Sequence, residues 1–368
     1  MALTLTDMLL AVSRAGASDL HLAPGRPPFL RVDGGLRPLP GAESSPLSEA
    51  DLEARVLELC QHAGAPPELP RASLDGALRA PDGARFRFHA YRRAPGFAIA
   101  LRRLEDRFRS LPELGLSEAL ARWGDLGDGL LLVAGPTGSG KSTTLATLID
   151  LINQRRACHI ITIEDPIEYV HGDQKSLVDQ RQVGLHTGGF QEALVASLRQ
   201  DPDVILVGEI RERDTIRIAL TAAETGHLVF TTVHAPDCAG ALQRLVSVFP
   251  ADEQPGVLRQ LALNLRGILA QHLVPADGHG RRQRPRILLS EILQVTSAAA
   301  NLIANGKFNQ MQTCMETGSG EGMQTLEENL IQWIQGGFLT EAVAMTHTRR
   351  PAYLKQRLQR QSPARSLR

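Results

Sequence analysis

The stretch Gly135-Pro136-Thr137-Gly138-Ser139-Gly140-Lys141-Ser142 fits GxxxxGK[ST] without exception, and Thr143 is the next polar group in line. Glycines let a backbone wrap closely around an anion with its N–H groups turned inward, and a helix beginning near Lys141 adds the positive end of its dipole. Lys141 is placed to reach the β and γ phosphates of a nucleotide, and the Ser142 hydroxyl to ligate Mg²⁺. An apolar strand before the loop and an amphipathic helix after it supply the context such a loop needs, so a chance match is the weaker reading. No NKxD-type guanine selector follows, which favours ATP over GTP.

Water attack on a phosphate needs a held metal and an oriented nucleophile. Two apolar runs end in acids suited to that work: HIITIED (159–165) ends at Glu164 and Asp165, and DVILVGE (203–209) ends at Glu209. The second is a Walker B-like run in which Gly208 stands where an Asp is usual. One acid at a strand end is ordinarily a solvated loop carboxylate. Two beside a phosphate loop point to catalysis, one holding the metal and the other activating water, with the assignment open. HLVFTTVH (227–234) carries His227 and His234. Their odd separation points them to opposite strand faces, and no Cys or third His has ligand spacing with them, which argues against zinc. Either could instead bond a phosphate oxygen or serve as a structural histidine.

These residues need a scaffold. GLLLVAG (129–135) and the three runs above alternate with helical patterns, as in a parallel sheet covered on both faces. Leu145, Leu148, Ile149 and Ile152 form an apolar stripe after the glycine loop, and Val257, Leu261, Leu265 and Ile268 form another. Thr325 and Glu328 make a capping box ahead of Leu326, Leu330 and Ile334. RILLSEIL (286–293) is the one further strand expected beyond residue 255. Residues 1–110 read as a small α+β domain. It opens with a helix burying Leu5, Met8, Leu9 and Val12, turns a hairpin at Gly34-Gly35, and has strands at 84–91 and 97–104. The polar segment 105–127 reads as a connection, with the linker set at 111–122 and the ATPase domain at 123–368.

The chain has 368 residues, with 40 Lys plus Arg against 40 Asp plus Glu and 43% hydrophobic content. That suits two domains with real cores and argues against bulk attraction to nucleic acid. With aromatics at 4%, a base-stacking groove is not expected either. Cys60, Cys158, Cys238 and Cys314 are scattered, giving no disulfide framework and suiting a reducing cytosol. The opening residues lack a signal-peptide pattern, and no run is long enough to span a bilayer. From Arg349 onward the chain holds seven Lys or Arg and no acid, which reads as a solvated tail.

Four motifs in order resemble one family. These are SDLHL with RPPFLRVDG (18–34), ITIEDPIEYVH (161–171), LRQDPDVILVGEIRERDT (198–215) and AAETGHLVFTTVHA (222–235). They look like the N-terminal domain, Asp box, atypical Walker B and His box of the secretion-type ATPases found at the base of type IV pili and type II secretion systems. The pilus retraction ATPases of twitching motility, the PilT and PilU group, are the branch it looks most like. The resemblance implies a PAS-like N-terminal domain and a RecA-like P-loop ATPase domain with a helical C-terminal part. It also implies a hexameric ring using ATP and Mg²⁺, cytoplasmic at the inner face of the inner membrane. The partners implied are an inner-membrane platform protein and a paralogous ATPase, with no nucleic acid. Glu209, Glu164, His234 and His227 are the implied catalytic set, joined by Arg87 and Arg102 reaching the phosphates at a seam between subunits. Lack of a long extra N-terminal domain and of a tetracysteine module favours the retraction branch. Where that branch carries AIRNLIRE, this chain reads AAANLIANGK (298–307), which leaves an accessory ring subunit as the alternative.

Overall fold

The computed structural model describes residues 3–32, 34–104, 107–278 and 286–361. They form two compact units. The first takes the chain up to Arg107 together with Asp165–Val170 and Gln182–His186; the second takes the rest.

In the first unit the order is α1 (Leu5–Arg14), β1 (Asp19–Leu22), β2 (Phe29–Val32), β3 (Gly35–Pro38), α2 (Glu49–His62), β4 (Ser73–Arg79), β5 (Arg85–Arg92) and β6 (Phe97–Arg103). Both helices start at capping boxes, Thr4 with Asp7 and Ser48 with Asp51, which satisfy amides the first turn leaves open. The strands make one antiparallel sheet in the order β3-β2-β1-β6-β5-β4. Alternation sorts its two faces. Leu20, Leu22, Leu30, Phe86, Phe88, Ile99 and Leu101 join Met8, Leu9, Leu52 and Leu59 of the helices in a buried core. Gly76 is required there, because a Cβ at that position would lie 2.5 Å from the Phe88 ring. Gly34, with φ of 81°, turns the β2–β3 hairpin where it was expected. The returning segment 165–170 is held by Arg85, whose guanidinium donates to the carbonyls of Glu168 at 2.9 Å and Ile167 at 3.1 Å.

The second unit begins with α3 (Leu111–Leu114), a 3₁₀ stretch (Glu118–Asp125), β7 (Gly129–Ala134), α4 (Lys141–Arg155), β8 (His159–Glu164), β9 (Leu177–Gln182), α5 (Phe190–Ser197), β10 (Val204–Val207), α6 (Arg213–Glu224), β11 (Leu228–Val233) and α7 (Cys238–Ser247). It continues with α8 (Gln254–Asn264), β12 (Leu265–Pro275), β13 (Arg286–Gln294), α9 (Ser297–Ala304), α10 (Met311–Thr317), α11 (Leu326–Gln335), α12 (Glu341–His347) and α13 (Pro351–Gln361). Its sheet runs β13-β12-β7-β11-β10-β8-β9. The five strands from β12 to β8 are mutually parallel, and β13 closes the edge antiparallel to β12. β7, β10 and β11 are buried along their whole length, as their unbroken apolar runs require.

Three expectations need correction. The apolar stripe from Val257 to Ile268 is not one helix: α8 stops at Asn264 and Leu265 and Ile268 belong to β12. A strand buried on both faces and a buried helix give the same local pattern, so only sheet pairing decides. β9 was likewise not expected, because its LVDQRQ has no apolar run. The segment around 111–122 is not a bare polar connection; Leu111, Leu116, Leu120 and Trp123 are buried in the core under β7 and α4, while 105 and 106 lie outside the described residues.

Candidate nucleotide site

Six neighbouring strands of the second sheet each present one polar element near the edge at which β7 ends. In spatial order these are Gln271 (β12), the loop after β7, His234 (β11), Glu209 (β10), Glu164 (β8) and Gln180 (β9). Ligands of open parallel sheets sit at that edge.

The loop is shaped for an anion. Gly135, Gly138 and Gly140 have φ of 152°, 78° and 89°, a range closed to most side chains. A Cβ on Gly135 would lie 2.4 Å from both the Gln271 carbonyl and the Ser139 hydroxyl oxygen. α4 is entered through Gly140 with no capping side chain, whereas Thr4, Ser48, Ser110 and Thr325 cap their helices. The Lys141 ammonium is buried and donates to the carbonyls of Gly135 at 3.0 Å and Pro136 at 2.9 Å, folded back across the loop. Ser142 and Thr143 follow on the first turn, with Ser142 exposed. The Ser139 hydroxyl is buried and meets no partner among the described residues. An uncapped helix start, a buried ammonium and an unpartnered hydroxyl fit a phosphate, and the exposed Ser142 hydroxyl fits a Mg²⁺ ligand.

Gln271 was missed from the sequence. Its amide donates to the Ser139 carbonyl at 2.7 Å and accepts from the Thr144 hydroxyl at 3.0 Å, with the side chain fully buried. It ties the loop and its helix to β12. A lone Gln in an apolar run carries no signal until β12 is known to flank β7.

Glu209 and Glu164 close adjacent strands, for Val207 pairs with Ile163. Gly208 stands in the Walker B-like run for a steric reason: a Cβ there would sit 3.2 Å from the Ile163 carbonyl and 3.5 Å from Glu164 Cα. The Thr232 hydroxyl fixes the Gly208 carbonyl at 2.6 Å. Glu209 lies 2.7 Å from Arg211 and 3.5 Å from His234 Nε2. Beside it opens a cleft of about 470 Å³ lined by Gly188, Phe190, Glu192, Arg211 and Thr215. Glu164 accepts from the Thr162 hydroxyl at 2.7 Å and from the Gln180 amide at 3.1 Å. Strand spacing of about 4.8 Å puts Glu209 two strands, about 10 Å, from the glycine loop and Glu164 three.

His234 stands between the loop and Glu209. Burial lowers its pKa first and the nearby Lys141 charge lowers it further, with Glu209 pulling the other way. His227 does not share this place. It lies at the amino end of β11, where its Nδ1 meets the Ala222 carbonyl at 3.0 Å and its own carbonyl accepts from Gly129 N–H. The six-residue strand β11 thus separates the two histidines by about 20 Å.

Arg87 and Arg102 lie in the first unit, directly paired across β5 and β6. The same cross-strand row continues through Asp19 to Arg31. Arg102 Nε donates to Asp19 at 2.8 Å, and Arg31 approaches the other carboxylate oxygen at 3.9 Å. Burial pushes the Asp19 carboxyl up, but the bonds from Ser18 and Arg102 outweigh it and hold it below the usual range.

A glycine loop opening a helix, flanked by acids and a histidine from parallel strands, is the site of a P-loop ATPase. Residues 78–345 match the family model described as type II/IV secretion system protein, and the chain belongs to that family. It is 41% identical over 347 residues to the Pseudomonas aeruginosa type IV pilus retraction ATPase PilT, covering 94% of this chain and 98% of that one. It is 38% identical over 341 residues to PilU of the same organism, covering 92% and 87%. A crystal structure of the pilus retraction motor PilT with bound ADP matches with a TM-score of 0.85 at 36% identity, over 96% of this chain and 99% of that one. The Legionella pneumophila ATPase DotB matches with a TM-score of 0.77 at 26% identity, over 92% and 93%. The chain is thus an ATP hydrolase related to the PilT-type motors. Among the described residues no helix is long and apolar enough to cross a membrane.

Proposed function

We propose that this chain is a hexameric motor coupling ATP hydrolysis to type IV pilus retraction, acting on an inner-membrane platform protein from the cytoplasmic side. In this reading the first unit is PAS-like and the second RecA-like. The observation that carries it is the row of polar groups along one sheet edge, from Gln271 to Gln180, in a chain similar to a retraction ATPase over nearly its whole length.

Lys141 exchanges its two loop carbonyls for phosphate oxygens, a charge-assisted contact stronger than the one it leaves. Bound Mg²⁺, held through Ser142, supplies screening of phosphate charge. Glu209, nearer the loop than Glu164, orients and deprotonates water. Glu164, steadied by Thr162 and Gln180, would help to hold the Mg²⁺. His234, disfavoured as a cation by burial and then by Lys141, offers Nε2 between phosphate and Glu209. Arg87 and Arg102 contribute positive charge to the nucleotide of an adjacent copy.

The test combines ATP turnover with complementation of twitching in a strain lacking the gene. The parent chain should restore twitching, and Glu209→Gln should bind ATP yet fail in both assays. A second reading, an accessory ring subunit driven by an active paralogue, is motivated by α9, where Ala300, Ala304 and Asn305 stand in place of the family's charged residues. Asn305 instead closes the helix onto Asn301 at 2.8 Å. Full retraction supported by Glu209→Gln would favour that reading.

A further inference from the structure

We propose that Arg349 is a positioning residue, a latch by which the C-terminal helices hold the loop that carries His234. This rests on the reading of His234 given above. The described part of the basic run, 349–361, is anchored at its start and not wholly solvated as its composition suggests. Three consecutive side chains of the α12–α13 junction reach three acids on three different elements. The Thr348 hydroxyl donates to Glu327 of α11 at 3.0 Å, Arg349 pairs with Asp237, and Arg350 pairs with Glu316 of α10. Leu354, one turn further on, is fully buried. Residues 362–368 lie outside the described residues.

Asp237 is three residues beyond His234. It caps α7, accepting from Gly240 N–H through Oδ1, and gives Oδ2 to Arg349. The rest of that loop is fastened as well. His272 Nε2 meets the Pro236 carbonyl at 2.8 Å, and the buried Glu291 accepts from Cys238 N–H at 2.9 Å. Those two contacts come from β12 and β13, which belong to the sheet itself. Arg349 alone among these ties comes from the C-terminal helices, whose core joins Leu330, Ile331, Leu339 and Ala344 to Val274 of β12 and Ile287 and Leu289 of β13. A shift at the α12–α13 junction therefore reaches Asp237 directly through Arg349, and His234 lies three residues before it. An Asp that already caps a helix transmits such a pull along a short, rigid path.

In the full chain, Arg349→Gln is expected to lower kcat about tenfold with KM for ATP within about twofold, and Arg349→Lys to recover most of the loss. Arg350→Ala breaks the neighbouring pair of the same junction and is expected to leave kcat within about twofold of the parent. Hydrogen exchange at the first turn of α7 is expected to quicken about tenfold in Arg349→Gln alone. An unchanged kcat in Arg349→Gln, or equal losses in Arg349→Gln and Arg350→Ala, overturns the proposal. If His234→Ala turns over ATP normally, the role of His234 fails separately. The exchange result then decides the latch, with unchanged protection of α7 overturning it.

Discussion

At the scale of single residues, the site depends on where charge is held before any phosphate arrives. Lys141 is buried yet satisfied by two carbonyls of its own loop, so the loop is closed around its ammonium. Removing the ammonium takes away both the proposed phosphate contact and that internal brace. Lys141→Ala is expected to abolish turnover, with ATP affinity down at least about tenfold, checked by nucleotide titration calorimetry and a phosphate-release assay. Glu209→Gln keeps the shape and loses the proposed base; ATP should remain bound while hydrolysis slows by about a hundredfold or more, checked by single-turnover kinetics. Weakened binding with normal turnover per bound ATP would remove the role assigned to Glu209.

At the scale of elements, Gln271 shows how a strand governs the loop of its neighbour in space, far away in sequence. Its amide satisfies the Ser139 carbonyl and the Thr144 hydroxyl inside a dry interior. Gln271→Leu leaves both buried groups without that partner, at about 1–3 kcal/mol for each unsatisfied group. A lower melting temperature and a raised KM for ATP are expected, read by thermal unfolding and steady-state kinetics. His171 makes a related point on the segment beside β9. Burial lowers its pKa to about 4, its Nδ1 has no partner among the described residues, and Phe108 stacks on the ring at 4.7 Å. The unfolded chain takes up a proton near pH 6.5 that the folded chain refuses until about 4. Stability therefore falls as pH drops through that window, by on the order of 3 kcal/mol once both states are protonated. His171→Phe should flatten this part of the pH–stability curve, measured by urea unfolding of parent and variant at pH 7, 6, 5 and 4.

At the scale of the whole molecule, the proposed function requires more than one copy. The row of Arg87, Arg102, Asp19 and Arg31 occupies the sheet face away from the first unit's core. Among the described residues Asp19 is the acid paired with this row, against three guanidinium groups, which leaves the row cationic. ATP with Mg²⁺ should shift the chain toward a hexamer in light scattering, and Lys141→Ala should weaken that shift. Arg87→Ala with Arg102→Ala should lower turnover of the assembled protein while leaving ATP binding to a single chain near its parent value. A monomeric chain with full ATPase activity would contradict the assembly and the role of these arginines together.

Much of this molecule is legible in its residues. The GPTGSGKST stretch, the acids at 164 and 209 and the buried strands around them declare themselves because each depends on local chemistry: positive φ, unbroken apolar runs, a charge at the end of a run. β9 and β12 escaped that reading because their identity comes from pairing with strands distant in sequence. Tertiary structure gave His227 its partners, the Ala222 carbonyl and the Gly129 N–H, which no spacing along the strand reveals. It alone brought Gln271 under the loop and Arg349 onto Asp237, contacts that span 132 and 112 residues of chain. Local backbone preference and hydrophobic patterning are written into neighbouring residues, whereas a polar partner across such a gap exists only after the chain has folded.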